Sequence, residues 1–181
     1  GGPQQQLDLF LPARPPARPR PVILFLHGGG WYKGNRTDGR PLAFRMAAHG
    51  FAVACVSYRL SSQATFPAQL EDAKGAVRWL RANARRYQLD PDQIGVVGVD
   101  AGGHLAAMLG AANSTRQFDR GANLHQSSRV QAVCVFFGPA SLLPLYEQSR
   151  KHGTTTADEV AKLLGGDPRA RAEQGRRTRQ A

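Results

Sequence analysis

Apolar residues fall along this chain in two rhythms. Four runs are apolar almost throughout, "VILFLH" (22–27), "FAVACVSY" (51–58), "IGVVGV" (94–99) and "VQAVCVFFG" (130–138), the pattern of strands covered on both faces. A fifth, "LDLFL" (7–11), alternates like an edge strand and stops at Pro12, after which "PARPPARPRP" reads as an extended connector. Between the runs the spacing turns helical. Residues 38–49 carry Leu42, Met46 and His49 on one face before Gly50, and Pro67 opens a long amphipathic helix through Tyr87, with Leu70, Ala73, Val77, Leu80 and Ala84 aligned. "LDPDQ" then turns the chain into the third apolar run, and a small-residue helix follows over 101–112. "TADE" (156–159) has the form of a capping box, Thr156 with Glu159, ahead of Val160, Leu163 and Leu164 and a stop at Gly165–Gly166. Strands alternating with helices predict an α/β fold, a doubly wound and mostly parallel sheet.

The length, 181 residues, suits one domain with a real core. Residues 1–166 form that domain, and the basic stretch 167–181 lacks apolar periodicity and is expected to be a disordered tail. No stretch reaches the ~18 consecutive apolar residues of a membrane span. "GGPQQQLDLF" has neither the basic nor the apolar region of a secretory leader, and the cellular location is not legible. The formal charge is +11, from 24 Lys+Arg against 13 Asp+Glu. The arginines sit in the proline segment, along the long helix and in the tail, with no aromatic platform among them; a specific nucleic-acid partner is not expected. Cys55 and Cys134 each lie inside an apolar run and read as buried thiols without metal. No cofactor motif is present, since "HGGGW" is neither a P-loop nor a dinucleotide fingerprint.

Two constellations carry chemistry. "LFLHGGGW" (24–31) ends a buried strand in three glycines, which let consecutive backbone N–H groups face a cleft as oxyanion stabilisation requires. "GVDAG" (98–102) sits at a strand–turn–helix junction, with Gly98 and Gly102 where the nucleophile elbow G-x-S-x-G needs small residues. The residue displayed at that elbow is Asp100.

Together with "SYRLS", "LDPDQIGVVG", "AGGHLAA", "FFGPASLL" and "LLGGDP", in that order, these blocks make the chain resemble the α/β-hydrolase family, in particular its HGGGW-type carboxylesterases related to feruloyl and acetylxylan esterases. The resemblance implies an oxyanion hole from the N–H groups of Gly29, Gly30 and Ala101, a substrate wall that includes Trp31 and Tyr32, and a small-molecule ester or carboxylic acid as ligand. It implies a serine at position 100, and a catalytic acid and histidine on loops after two further strands, which would follow "LLGGDP" and are not in this chain. The expectation is therefore an α/β-hydrolase fold lacking its last strands, inactive or severely impaired as an esterase. A small-molecule-binding pseudoenzyme and a hydrolase using Asp100 as nucleophile are the alternatives. The implied sheet order sets Cys55 and Cys134 three strands apart, roughly 14 Å at ~4.8 Å per strand, too far for a disulfide. It also leaves the "VCVFF" strand with a free edge, through which two copies could pair.

The histidines offer no general base. His27 is expected to pack the glycine loop, His104 to be structural, His49 to end a helix, and His125 and His152 to lie in polar loops. Asp72 on the long helix reads as a salt-bridge or capping residue, and Tyr58 and Trp79 as core.

Overall fold

A computed structural model describes residues 5–170. Its sheet has five strands, β1 (Gln6–Phe10), β2 (Arg20–Leu26), β3 (Ala52–Ser57), β4 (Leu89–Val99) and β5 (Ala132–Phe136), in the order β1-β3-β2-β4-β5. β1 runs antiparallel to β3 and the other neighbours are parallel. The helices are α1 (Arg40–Ala48), α2 (Ala68–Ala82), α3 (Ala84–Tyr87), α4 (Ala101–Ala111), α5 (Leu142–His152) and α6 (Thr156–Leu164).

The period-2 alternation of the strands explains the two layers. Leu24 and Leu26 of β2, Ala54 and Val56 of β3 and Val96 of β4 face a core shared with Leu70, Val77 and Leu80 of α2 and with Leu105 and Leu109 of α4. Phe25, Val53 and Cys55 point the other way, onto Ala43, Leu42 and Met46 of α1. Helices on both faces make the sheet doubly wound, as the strand and helix rhythms predict.

Several details differ from the sequence reading. The long helix breaks at Asn83, whose side-chain amide donates back to the Trp79 carbonyl at 2.9 Å. β4 starts at Leu89, and the predicted turn survives as an irregularity between the pairs Leu89–Arg20 and Ile94–Val22, with the Asp92 N–H on Asp90 Oδ1. Residues 142–152, assigned to no element from the sequence, form α5, so His152 ends a helix rather than lying in a loop. β5 is an edge strand and all five of its residues are exposed. Cys134 is consequently exposed, contrary to the expectation of burial, while Cys55 is buried. Burial of Cys55, reinforced by the charge of Asp8, pushes its thiol up to about 12. Both thiols are free, on strands three positions apart. The expected capping box is not formed: Thr155 is the N-cap of α6, without a side-chain bond, and Glu159 points elsewhere. Of the expected disordered tail, residues 171–181 lie outside the described residues. Among the described residues no helix is long and apolar enough to cross a membrane.

Candidate active site

The glycine loop after β2 is shaped by its backbone. Gly29, Gly30 and Trp31 all have positive φ, at 101°, 58° and 63°, a sequence of conformations that glycine adopts without the Cβ penalty and Trp31 does not. The loop folds back on itself, with the N–H groups of Tyr32 and Lys33 both donating to the Gly29 carbonyl at 3.1 Å. Its own Gly29 and Gly30 N–H groups are left pointing at Asp100, and both donate to Asp100 Oδ2, at 2.9 and 3.2 Å.

Asp100 stands between β4 and α4 with φ 53° and ψ −120°, a strained conformation for a residue with a side chain. Its flanking glycines are required by contact. A Cβ on Gly98 would lie 2.7 Å from Gly103 N, and one on Gly102 would lie 2.5 Å from the Leu26 carbonyl carbon. The start of α4 is thus pressed against the end of β2, which brings the glycine loop and the elbow within hydrogen-bonding reach. Asp100 N–H donates to the Phe136 carbonyl at 2.8 Å, tying the elbow to β5 as well.

Ala101 is the first residue of α4 and fully buried; the carboxylate takes its bonds from Gly29 and Gly30. Trp31 is buried, 2% exposed, and meets the His104 ring edge-on at 5.4 Å between centroids. Tyr32 is 38% exposed at the rim, with the ammonium groups of Lys33 and Lys162 at 5.3 and 5.9 Å from its ring centre. The structure therefore gathers Asp100, Gly29 and Gly30 at one point, opens Tyr32 to solvent beside them and sinks Trp31 into the core.

The sequence reading missed Glu159. This α6 residue lies against Gly30, and a Cβ there would sit 2.7 Å from Glu159 Cδ. Loss of hydration raises its carboxyl above the usual range, the negative charge of Asp100 adds to the rise, and Lys33 and Lys162 oppose it. In the sequence "TADE" has the form of a cap, and only the docking of α6 over the glycine loop brings Glu159 to the site.

His27, Tyr58 and Asp72 make their bonds within the fold. The His27 Nδ1–H donates to the Gly28 carbonyl at 2.8 Å and the ring stacks on Tyr58 at 4.2 Å, while the Tyr58 hydroxyl donates to the His27 carbonyl at 2.8 Å. Burial lowers the proton affinity of His27 and His104 and raises that of the Tyr58 hydroxyl. Asp72 receives Arg59 Nε and Nη2 and the Arg59 N–H, the salt bridge expected of it. Trp79 is half-buried against the core and packs on Tyr87 at 5.7 Å. Both line a cleft of about 970 Å³ whose walls include β1 and α2 and do not include Asp100. Among the described residues no histidine ring bonds the Asp100 carboxylate.

Residues 7–179 match the BD-FAE family. The chain is 33% identical over 137 residues to esterase LipC of Mycobacterium tuberculosis, covering 75% of this chain and 34% of that protein. It is 34% identical over 136 residues to a probable isoprenylcysteine alpha-carbonyl methylesterase of Oryza sativa, covering 75% and 32%. Among solved structures, a bifunctional GH43-CE protein of Bacteroides eggerthii superposes with a TM-score of 0.74 at 34% identity, over 90% of this chain and 24% of that one. Thermogutta terrifontis esterase 2 phosphonylated by sarin superposes with a TM-score of 0.73 at 29% identity, over 92% and 60%. The chain spans about a third of the length of these curated relatives. With the strand order, the elbow and the glycine loop all in place, the chain belongs to the BD-FAE family of α/β-hydrolase esterases.

Proposed function

We propose that this chain is a non-hydrolysing relative of the serine carboxylic ester hydrolases, with a site that receives a small ester or carboxylic acid without turning it over. The observation that carries this reading is the Asp100 carboxylate seated on the Gly29 and Gly30 N–H groups. An oxyanion hole works by offering unsatisfied donors to charge that appears only in the transition state. Here a standing anion holds two of the expected donors, and it repels any oxyanion forming beside it. A carboxylate attacking an ester carbonyl would also yield an anhydride, higher in energy than the ester consumed. Loss of one triad member in a serine hydrolase typically costs about 10⁴- to 10⁶-fold in turnover. Tyr32 and Trp31 supply the wall in this reading, Tyr32 by contact and Trp31 by supporting the loop from beneath, and the open edge of β5 is the surface for self-association.

The test is p-nitrophenyl acetate hydrolysis by the purified chain and by Asp100→Ala. Both should stay at the uncatalysed rate, and multiple-turnover hydrolysis lost in Asp100→Ala would sink the reading. A fluorophosphonate probe gives a second arm. Thermogutta esterase 2 is a phosphonylated protein in its solved complex, whereas this chain should carry no stable label, because a phosphonylated carboxylate is a mixed anhydride that water cleaves.

A further inference from the structure

We propose that the cleft walled by β1 and α2 is a second binding site, which takes a small aromatic carboxylate with its anionic group on the loop Arg120–Asn123. Neither Asp100 nor the glycine loop lines it, so the site stands apart from the elbow.

At about 970 Å³ the cleft has the size of a small-molecule site. Leu7 and Leu9 of β1, with Trp79 of α2 and Tyr87 of α3, are half-buried in its walls against the core, and the two rings lie 5.7 Å apart at a tilt of 35°. A flat apolar ligand finds ring surface there.

The charges of the cleft are sorted by sign. Near the start of α2, Arg59 meets both Asp72 and Glu71, at 2.8 and 3.3 Å, and Arg36 is taken by Asp8 at 2.7 Å, so carboxylates outnumber guanidinium groups. At the loop the balance reverses. Lys74, Arg78 and Arg116 share the single Asp119 carboxylate, and Arg120 adds a fourth cation, exposed and with no carboxylate partner among the described residues. A ligand carboxylate is repelled from the first end and drawn to the second.

The loop also offers donors. Arg78 is fully buried beneath it and donates from Nη2 to the Arg120 carbonyl and from Nε to the Ala122 carbonyl, the latter at 3.2 Å. Both peptides are trans, so carbonyls drawn inward turn the N–H groups of Gly121 and Asn123 outward. Neither N–H has an acceptor among the described residues. The φ angle is positive at Gly121, 82°, and at Asn123, 55°, but not at Ala122 between them, the alternation of backbone hand that shapes anion-binding nests. One free guanidinium and two N–H groups suit the two oxygens of a carboxylate. Gly75 supplies the room. It weakens the interior of α2, yet a Cβ there would meet only the end of Arg78, at 3.7 Å; its bare backbone instead keeps the cleft open beside the loop.

The experiment titrates the full chain with 2-naphthoate at neutral pH, by calorimetry and by following backbone amide resonances. One saturable site is expected, with the largest amide shifts at Gly121 and Asn123. 2-Naphthamide, the same rings without the charge, should bind about 10-fold more weakly, and Arg120→Ala should weaken 2-naphthoate by a similar factor, the scale of one charge-assisted hydrogen bond. Gly75→Met should fill the cleft and abolish the site with thermal stability kept. Arg45→Ala, on α1 across the sheet, removes the same charge and should bind like the wild type, which separates the site from the general pull of a chain at +11 on anions. No saturable binding up to about 1 mM would overturn the proposal. Equal losses in Arg45→Ala and Arg120→Ala would do the same, as would binding unchanged in Gly75→Met. The amide shifts are read on the unaltered protein, so shifts centred away from Gly121 and Asn123 reject the site whatever the variants do.

Discussion

At Gly102 a missing side chain decides where the site can form. A methyl group there would press on the carbonyl end of Leu26, backbone that cannot rotate aside. Gly102→Ala should therefore destabilise the protein by about 1–3 kcal/mol, read from the urea midpoint, and should separate Asp100 from the Gly29 and Gly30 donors. Gly75 is the contrasting case. It sits inside α2, and the nearest neighbour of an added Cβ is the end of the Arg78 side chain at 3.7 Å. Gly75→Ala should stabilise by about 0.4–1 kcal/mol, by limiting the unfolded chain and favouring helix. Residues of the first kind were legible in the sequence, because a glycine pair flanking one displayed residue follows from a strand meeting a helix. Glu159 was not legible, since its partner Gly30 lies far away in sequence and only the packing of α6 brings them together.

Between the elements, the segment joining α4 to β5 is locked onto α2 by buried charge. Asp119 Oδ1 accepts from Ser128 Oγ at 2.7 Å, Arg78 Nη1 at 3.0 Å and Lys74 Nζ at 3.3 Å, and the Lys74 and Arg78 side chains are fully buried. Burial alone would raise the Asp119 carboxyl, but the Ser128 hydrogen bond and the two cations outweigh it and hold it below the usual range. Removing the carboxylate strands two cations in the interior, so Asp119→Ala should cost about 3–5 kcal/mol in a denaturant titration. A lowered native value means that this stabilisation is complete above the unfolded carboxylate's ~3.9 and drains away as pH falls towards the native titration. Wild type should accordingly lose more stability than Asp119→Ala on acidification from pH 5 to pH 3. This cluster was hidden in the sequence, where Lys74 and Arg78 look like the wet face of an amphipathic helix. α5 was hidden for a different reason: "LLPLYEQSRKH" places a proline in its first turn and buries only Tyr146 and Ser149, too little to mark a face. The four parallel strands were plain because each apolar run is longer than chance allows in a polar loop, yet the same criterion overstated the burial of β5, whose composition says nothing of its place at the edge.

Across the whole molecule, apolar surface is concentrated at that edge. Val133, Val135 and Phe136 are 43%, 41% and 48% exposed, and Phe137 is 90% exposed at a positive φ of 56°. Free edges of this kind pair with other chains unless guarded. Phe137→Asn should lessen concentration-dependent association in size-exclusion chromatography without loss of thermal stability, because asparagine tolerates the left-handed backbone and removes the exposed ring. Beside that edge, just after the end of β4, Asp100 joins three parts of the fold: the glycine loop through its carboxylate, α4 through the chain itself and β5 through its N–H on the Phe136 carbonyl. In a serine enzyme the loop donors stay open to solvent between turnovers. Here they are closed at rest, so the amide protons of Gly29 and Gly30 should exchange slowly with deuterium, and Asp100→Ala should speed the exchange of both together.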